Sequence, residues 1–143
     1  MTNNQIEQVQ KSWKMVAAME PTVVGNLFYN RLFEIAPEVR PMFRNTSIDE
    51  QSRKLLSMIN YVIIKLNKLD DIIDEVKKLA QRHVQYGVQD EHYSIVGSAL
   101  LWTLEAGLAD KWNNQLKEAW TVCYTILAKA MIEASKDQIA KVA

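Results

Sequence analysis

Only four glycines and three prolines punctuate the 143 residues of this chain, and long stretches carry neither. Glycine and proline are the residues that most often end or bend a helix. A chain so short of them, with apolar residues recurring three and four positions apart, is expected to fold into helices with short connections. The stripe Ile6, Val9, Trp13, Val16 and Ala17 predicts a first helix from about Asn4 to Met19. Pro21 stands where a helix start tolerates it, and Val24, Phe28, Leu32 and Ile35 carry a second helix to about Ala36. Pro37 opens a short helical segment that ends near Phe43.

Asn45-Thr46-Ser47 reads as a loop, with Ser47 or Asp49 capping a helix that carries Leu55, Met58, Ile59, Val62 and Leu66. A further helix from about Asp70 turns Ile72, Val76, Leu79 and Ala80 inward, and Gly87 marks its end or the bend just after it. Asp90 or Glu91 starts the next, through Val96, Leu100 and Leu104 towards Leu108. The last, from about Asn113, buries Leu116, Trp120, Cys123 and Leu127. No segment alternates convincingly as a strand does. The expectation is an all-α fold of six or more helices in a single domain spanning 1–143.

Charge narrows the function classes. Seventeen basic residues balance seventeen acidic ones, so neither nucleic acid nor a membrane surface is an expected partner. A single cysteine, Cys123, excludes an internal disulfide and fits a reducing compartment. The polar start, Met1 to Lys11, lacks the apolar run of a signal peptide. No apolar run reaches the roughly eighteen residues of a membrane span. The default location is the cytoplasm.

Three polar residues interrupt apolar faces. His83 continues the stripe of Ile72, Val76, Leu79 and Ala80, Gln51 lies a turn before Leu55, and Tyr29 lies a turn before Leu32 and Phe33. Taken singly, each reads as a satisfied core residue or an exposed helix position. Taken together, one imidazole and two hydrogen-bond donors suit a cavity that holds a haem. Neutral imidazole is a good axial ligand, and an open opposite face admits a gas. Dioxygen at ferrous iron gathers negative charge, which a tyrosine hydroxyl and a glutamine amide can stabilise.

Other chemistries find little support. His83 and His92 are not one helical turn apart and no second cysteine exists, which disfavours zinc. There is no glycine-rich phosphate loop and no nucleophile elbow. Cys123 falls on an apolar stripe with Trp120 and Leu127 and reads as an inert buried thiol.

Leu27-Phe28-Tyr29-Asn30-Arg31-Leu32-Phe33, followed by Pro37-Glu38-Val39-Arg40-Pro41-Met42-Phe43, resembles the second helix and its exit in bacterial haemoglobins and flavohaemoglobins. Leu79-Ala80-Gln81-Arg82-His83, then Gly87-Val88 and His92-Tyr93-Ser94-Ile95-Val96-Gly97, resembles that family's proximal region. Ala119-Trp120 with Tyr124 resembles the start of its last helix, and Gln51-Ser52-Arg53-Lys54-Leu55 is also similar to neuroglobin-like bacterial globins. The resemblance runs through nearly the whole chain.

It implies a globin fold of six to eight helices around one haem b (iron protoporphyrin IX). By the same resemblance His83 is the proximal iron ligand, Phe43 packs against the porphyrin, and Tyr29 and Gln51 are the distal pair. Leu55 lies over the iron, Val88 adds a haem contact, and Tyr93 is the proximal-side tyrosine. Lys54 and Arg82 are candidates for the haem propionates, with solvated surface cations as the alternative. With Gln51 where neuroglobins carry a distal histidine, the ferrous iron is expected to be five-coordinate.

Two departures bear on function. Flavohaemoglobins carry a glutamate in the last helix, whose nearest counterpart here is Asp137. The 143 residues also hold no flavin or nicotinamide domain, so reduction is expected from a separate reductase. The implied partners are dioxygen and other diatomic gases (nitric oxide, carbon monoxide), to a monomer or a homodimer. Reversible, high-affinity oxygen binding is the leading reading. Nitric oxide dioxygenation with an external reductase is the second, and a haemless helical module the third.

Overall fold

In the computed structural model, residues 1–85 and 87–142 are described, with side chains as far as Lys136. Six α-helices account for most of them: α1 (Asn3–Ala17), α2 (Pro21–Ile35), α3 (Ile48–Ile64), α4 (Ile73–Gln85), α5 (Asp90–Leu108) and α6 (Asn114–Val142). Three 3-10 segments join them, Pro37–Phe43, Leu66–Ile72 and Ala109–Lys111, and no strand occurs among the described residues. Nor is any described helix long and apolar enough to cross a membrane.

Local chemistry sets the helix starts. Thr2 and Gln5 cap α1 reciprocally, and Pro21 opens α2 at a position where its missing N–H is no loss. Ser47, rather than Asp49, caps α3 by accepting from the Glu50 N–H at 3.4 Å. Asp49 and Glu50 fill that helix's first turn, where negative charge suits the helix dipole. Gln89 caps α5 together with His92, whose Nδ1 accepts from the Gln89 N–H at 3.0 Å.

Several boundaries differ from the periodicity. α1 stops at Ala17, which is exposed, and α3 stops at Ile64, leaving Leu66 buried in the 3-10 segment that follows. Lys68 (φ −139°, ψ 51°) breaks that segment, so α4 begins at Ile73 instead of near Asp70. Gln10 explains part of the early stop: its Nε2 donates to the Ile63 carbonyl at 3.0 Å and satisfies one of the free carbonyls at the end of α3.

The core divides into a tightly packed half and a hollow half. In the packed half Val9, Trp13 and Val16 of α1 meet Leu104 and Leu108 of α5 and Leu116, Ala119, Trp120 and Cys123 of α6. The rings of Trp13 and Trp120 meet edge-on with centroids 6.2 Å apart. Each indole N–H is satisfied, Trp120 by the Ser12 hydroxyl at 2.9 Å and Trp13 by the Asn60 side-chain oxygen at 3.1 Å.

The position of α3 depends on how closely α2 approaches it. A Cβ built on Gly25 would stand 1.9 Å from the Ser52 Oγ, so the crossing requires glycine there. Ser52 is fully buried and turns its hydroxyl back to the Ile48 carbonyl at 2.7 Å, which leaves no polar group unpaired in the contact. A similar close approach, between Gly97 of α5 and the ring of Tyr124 on α6, sets the far side of the hollow half.

Candidate functional site

The hollow half holds a cavity of about 910 Å³, near the upper end of the roughly 300–1,000 Å³ seen for small-molecule and cofactor sites. Tyr29, Phe43, Gln51, Lys54 and Leu55 line one side of it. Arg82, His83, Val88 and Tyr93 line the other, so the structure brings together all the site residues expected from the sequence. Most of the remaining wall is aliphatic or aromatic.

The first wall comes from α2, the 3-10 segment after it, and α3. Tyr29 is buried in an aromatic cluster, 4.9 Å from Phe28 and 5.4 Å from Phe43 between ring centroids, both edge-on. Phe33 joins Phe43 at 5.5 Å, and the Arg40 guanidinium covers the Phe33 ring at 5.0 Å. The cluster fixes the ring of Tyr29 and directs its hydroxyl to the half-buried Gln51. Burial pushes the Tyr29 phenol up to about 12, with the Gln51 side chain beside it pulling partly the other way. The hydroxyl therefore keeps its proton, and can donate it, throughout the ordinary pH range.

The second wall comes from α4, α5 and α6. Val76 and Ala80 bury the inner face of α4, and His83 extends that face into the cavity. His83 Nδ1 lies 2.8 Å from the Leu79 carbonyl. A carbonyl only accepts, so Nδ1 carries the proton and Nε2 keeps its lone pair. Burial holds the His83 pKa below its usual value, with the Leu79 bond opposing and the Arg82 charge adding to the shift. The ring is neutral at pH 7. Fixing one nitrogen on a backbone carbonyl so that the other points its lone pair at a metal is how proteins commonly orient a histidine ligand.

Tyr93 stacks beside His83 with ring centroids 6.5 Å apart and an interplanar angle of 24°. Its hydroxyl is the one buried side-chain polar atom among the described residues that makes no hydrogen bond. The nearby Ser135 hydroxyl is committed to the Met131 carbonyl at 2.8 Å. Burial raises the Tyr93 pKa, Ser135 offsets part of that, and the Asp90 charge adds to it. Tyr124 donates to the Tyr93 backbone carbonyl and ties the start of α5 to α6. Asp137 lies outside the described side chains.

Several residues in and around the cavity escaped the reading of the sequence. Ser135, beside Tyr93, continues the stripe Leu127 and Met131 one turn on, a polar residue on an apolar face, and that spacing was a usable signal. Arg53 and His92 line the cavity, but nothing in their local sequence separates them from ordinary surface positions. Cys123 behaves as expected. It is 1% exposed, and burial pushes its thiol up to about 12, which leaves it unreactive.

These residues fit a flat, largely apolar group with a metal at its centre. The neutral imidazole could supply a lone pair to that metal, the aromatic cluster a flat contact surface, and the other wall donors without a second imidazole. The fold and the cavity together define the class of helical proteins that enclose a large prosthetic group.

Residues 26–131 match the globin family, and the chain belongs to it. A flavohemoprotein of Bacillus subtilis is 29% identical over 140 residues, which cover 96% of this chain and 35% of that protein. The chain thus spans about a third of the length of that relative. A leghemoglobin of Canavalia lineata is 30% identical over 135 residues, covering 88% of this chain and 90% of that one. Among solved structures, a bacterial globin from Campylobacter jejuni superimposes with a TM-score of 0.83 at 29% identity, over 97% of this chain and 99% of that one.

Proposed function

We propose that this globin holds one haem b through His83 and binds dioxygen reversibly and tightly against Tyr29 and Gln51. The observation that carries the reading is the opposition of two unlike polar sites across one apolar cavity. On one wall His83 offers an unprotonated Nε2, and on the other Tyr29 offers a hydroxyl that stays protonated. A haem held between them would supply an iron able to bind a diatomic gas. The chain does the rest.

His83 holds the metal from one side and, being tied to Leu79, keeps its ring orientation. Phe43 and Leu55 would pack against the group, and Lys54 and Arg82 would pair with its carboxylates. Tyr29 and Gln51 donate hydrogen bonds to a gas that gathers negative charge. Each such bond to a charged acceptor contributes roughly 1.5–3 kcal/mol, which slows release about tenfold to a hundredfold. The apolar lining excludes water. With Gln51 in place of an imidazole, no side chain of the distal wall closes the gas position in the ferrous form.

The test is stopped-flow oxygen release from Tyr29→Phe, a change that removes one hydroxyl and keeps the ring in its cluster. Release at least tenfold faster than from the parent supports the mechanism. An unchanged rate refutes it.

The likeness to a flavohemoprotein favours one second reading. In that reading the same pocket consumes nitric oxide and dioxygen, with one electron from a separate reductase, to give nitrate. Sustained turnover with an added flavin reductase supports it, and a single stoichiometric burst counts against it.

A further inference from the structure

The cavity lining is one-sided in charge. Among the described residues it includes three permanent cations, Arg53, Lys54 and Arg82, and no carboxylate. Over the whole chain acids and bases are equal in number, so the imbalance is local. The ion pairs among the described residues, Lys11 with Glu7, Arg31 with Glu34 and Lys78 with Glu75, engage none of the three. All three are exposed, which lets them stay charged at little cost while their stems reach the cavity rim.

A haem brings two carboxylates to such a rim, and on the reading above Lys54 and Arg82 meet them. Arg53 is then left over. The other basic group at the cavity, His92, accepts a hydrogen bond at Nδ1 from the Gln89 N–H. We propose that Arg53 is a specificity-determining residue that keeps the mouth of the loaded pocket positive and favours entry of small monoanions with nitrogen or oxygen donor atoms over neutral diatomic gases. The inference rests on the haem reading and adds a ligand class to it.

The physical effect is steering by an unscreened charge near an apolar opening. One charge about 10 Å from the path, in water-like surroundings, changes the local concentration of a monoanion about twofold. Salt abolishes such an effect once the screening length falls to a few ångströms. A neutral gas feels none of it. The ratio of anion to neutral association rates therefore isolates the charge from any change in the width of the opening.

The probe pair is azide with the ferric protein and carbon monoxide with the ferrous protein, each followed by stopped-flow absorbance at pH 7.5 and low ionic strength. The azide-to-carbon-monoxide ratio is expected to fall about twofold in Arg53→Gln, to return in Arg53→Lys, and to lose its dependence on Arg53 in high salt. A haem-loaded Arg53→Gln whose ratio equals the parent's overturns the proposal. So does an Arg53→Lys that behaves like Arg53→Gln, because charge is then not the cause. A chain that takes up no haem overturns the haem reading along with it, whereas a loaded chain indifferent to Arg53 overturns the entrance alone.

Discussion

The two walls of the cavity handle polar groups in opposite ways. On the wall of α2 and α3, Tyr29 and Gln51 stand side by side, and an aromatic cluster turns the phenol towards the open space. On the wall of α4, α5 and α6, His83 spends its only proton on the Leu79 carbonyl, and the Tyr93 hydroxyl beside it makes no hydrogen bond among the described residues. Tyr29 and Gln51 offer protons, and His83 offers an electron pair. A charged ligand needs a donor where it sits, whereas a metal needs an unprotonated nitrogen, so a pocket that does both must separate the two.

This contrast can be broken most severely at His83. The variant His83→Ala removes the imidazole nitrogen that its wall offers to a metal, and the purified protein is expected to lose most of its haem absorption. Acid should act in the same direction. Because the folded pKa of His83 is lowered, the unfolded chain takes up the proton first. The stability this group contributes is then complete above about pH 6.5 and is lost as pH falls through its lower folded value. Haem release followed against pH in the acid range checks it.

Gln51→Leu tests whether the first wall works as a pair. It removes one donor and leaves Tyr29, so oxygen release is expected to quicken about tenfold at most, read by stopped flow. If the rate does not move, Tyr29 acts alone.

Gly25→Ala probes the frame on which that wall hangs. The added methyl meets Ser52 at 1.9 Å, and overpacking of this kind costs about 1–3 kcal/mol. A fall of several degrees in Tm is expected by calorimetry. Tyr93→Phe should give the smallest effect. Its hydroxyl loses no hydrogen bond among the described residues, and removing an unsatisfied buried group is close to neutral or slightly stabilising. An increase in oxygen release beyond twofold in this variant would mean that the second wall also acts on the gas.

The contrast was only partly legible in the sequence. Helical stripes gave the elements and set His83, Gln51 and Tyr29 apart as polar residues on apolar faces, because a 3.6-residue period is a local property. The close crossing at Gly25 and Ser52 was not legible, since it depends on which two helices meet and at what height. The same holds for Ser12, a small polar residue in α1 whose role appears only once Trp120 donates to it across 108 positions. The early stop of α3 was hidden for a related reason, as Gln10 reaches it from another helix. Resemblance to a family supplied what periodicity could not, the expected roles of Phe43, Leu55 and Val88, whose side chains look like any others in the core.

The central claim is a haem held by His83 with its other face free of protein ligands and lined by Tyr29 and Gln51. The visible spectrum of the dithionite-reduced protein, before and after oxygen is admitted, tests it most directly. A single broad band that gives way to a stable split pair with oxygen is the predicted result. A sharp split pair in the reduced protein without any gas, or no haem bands at all, would contradict it.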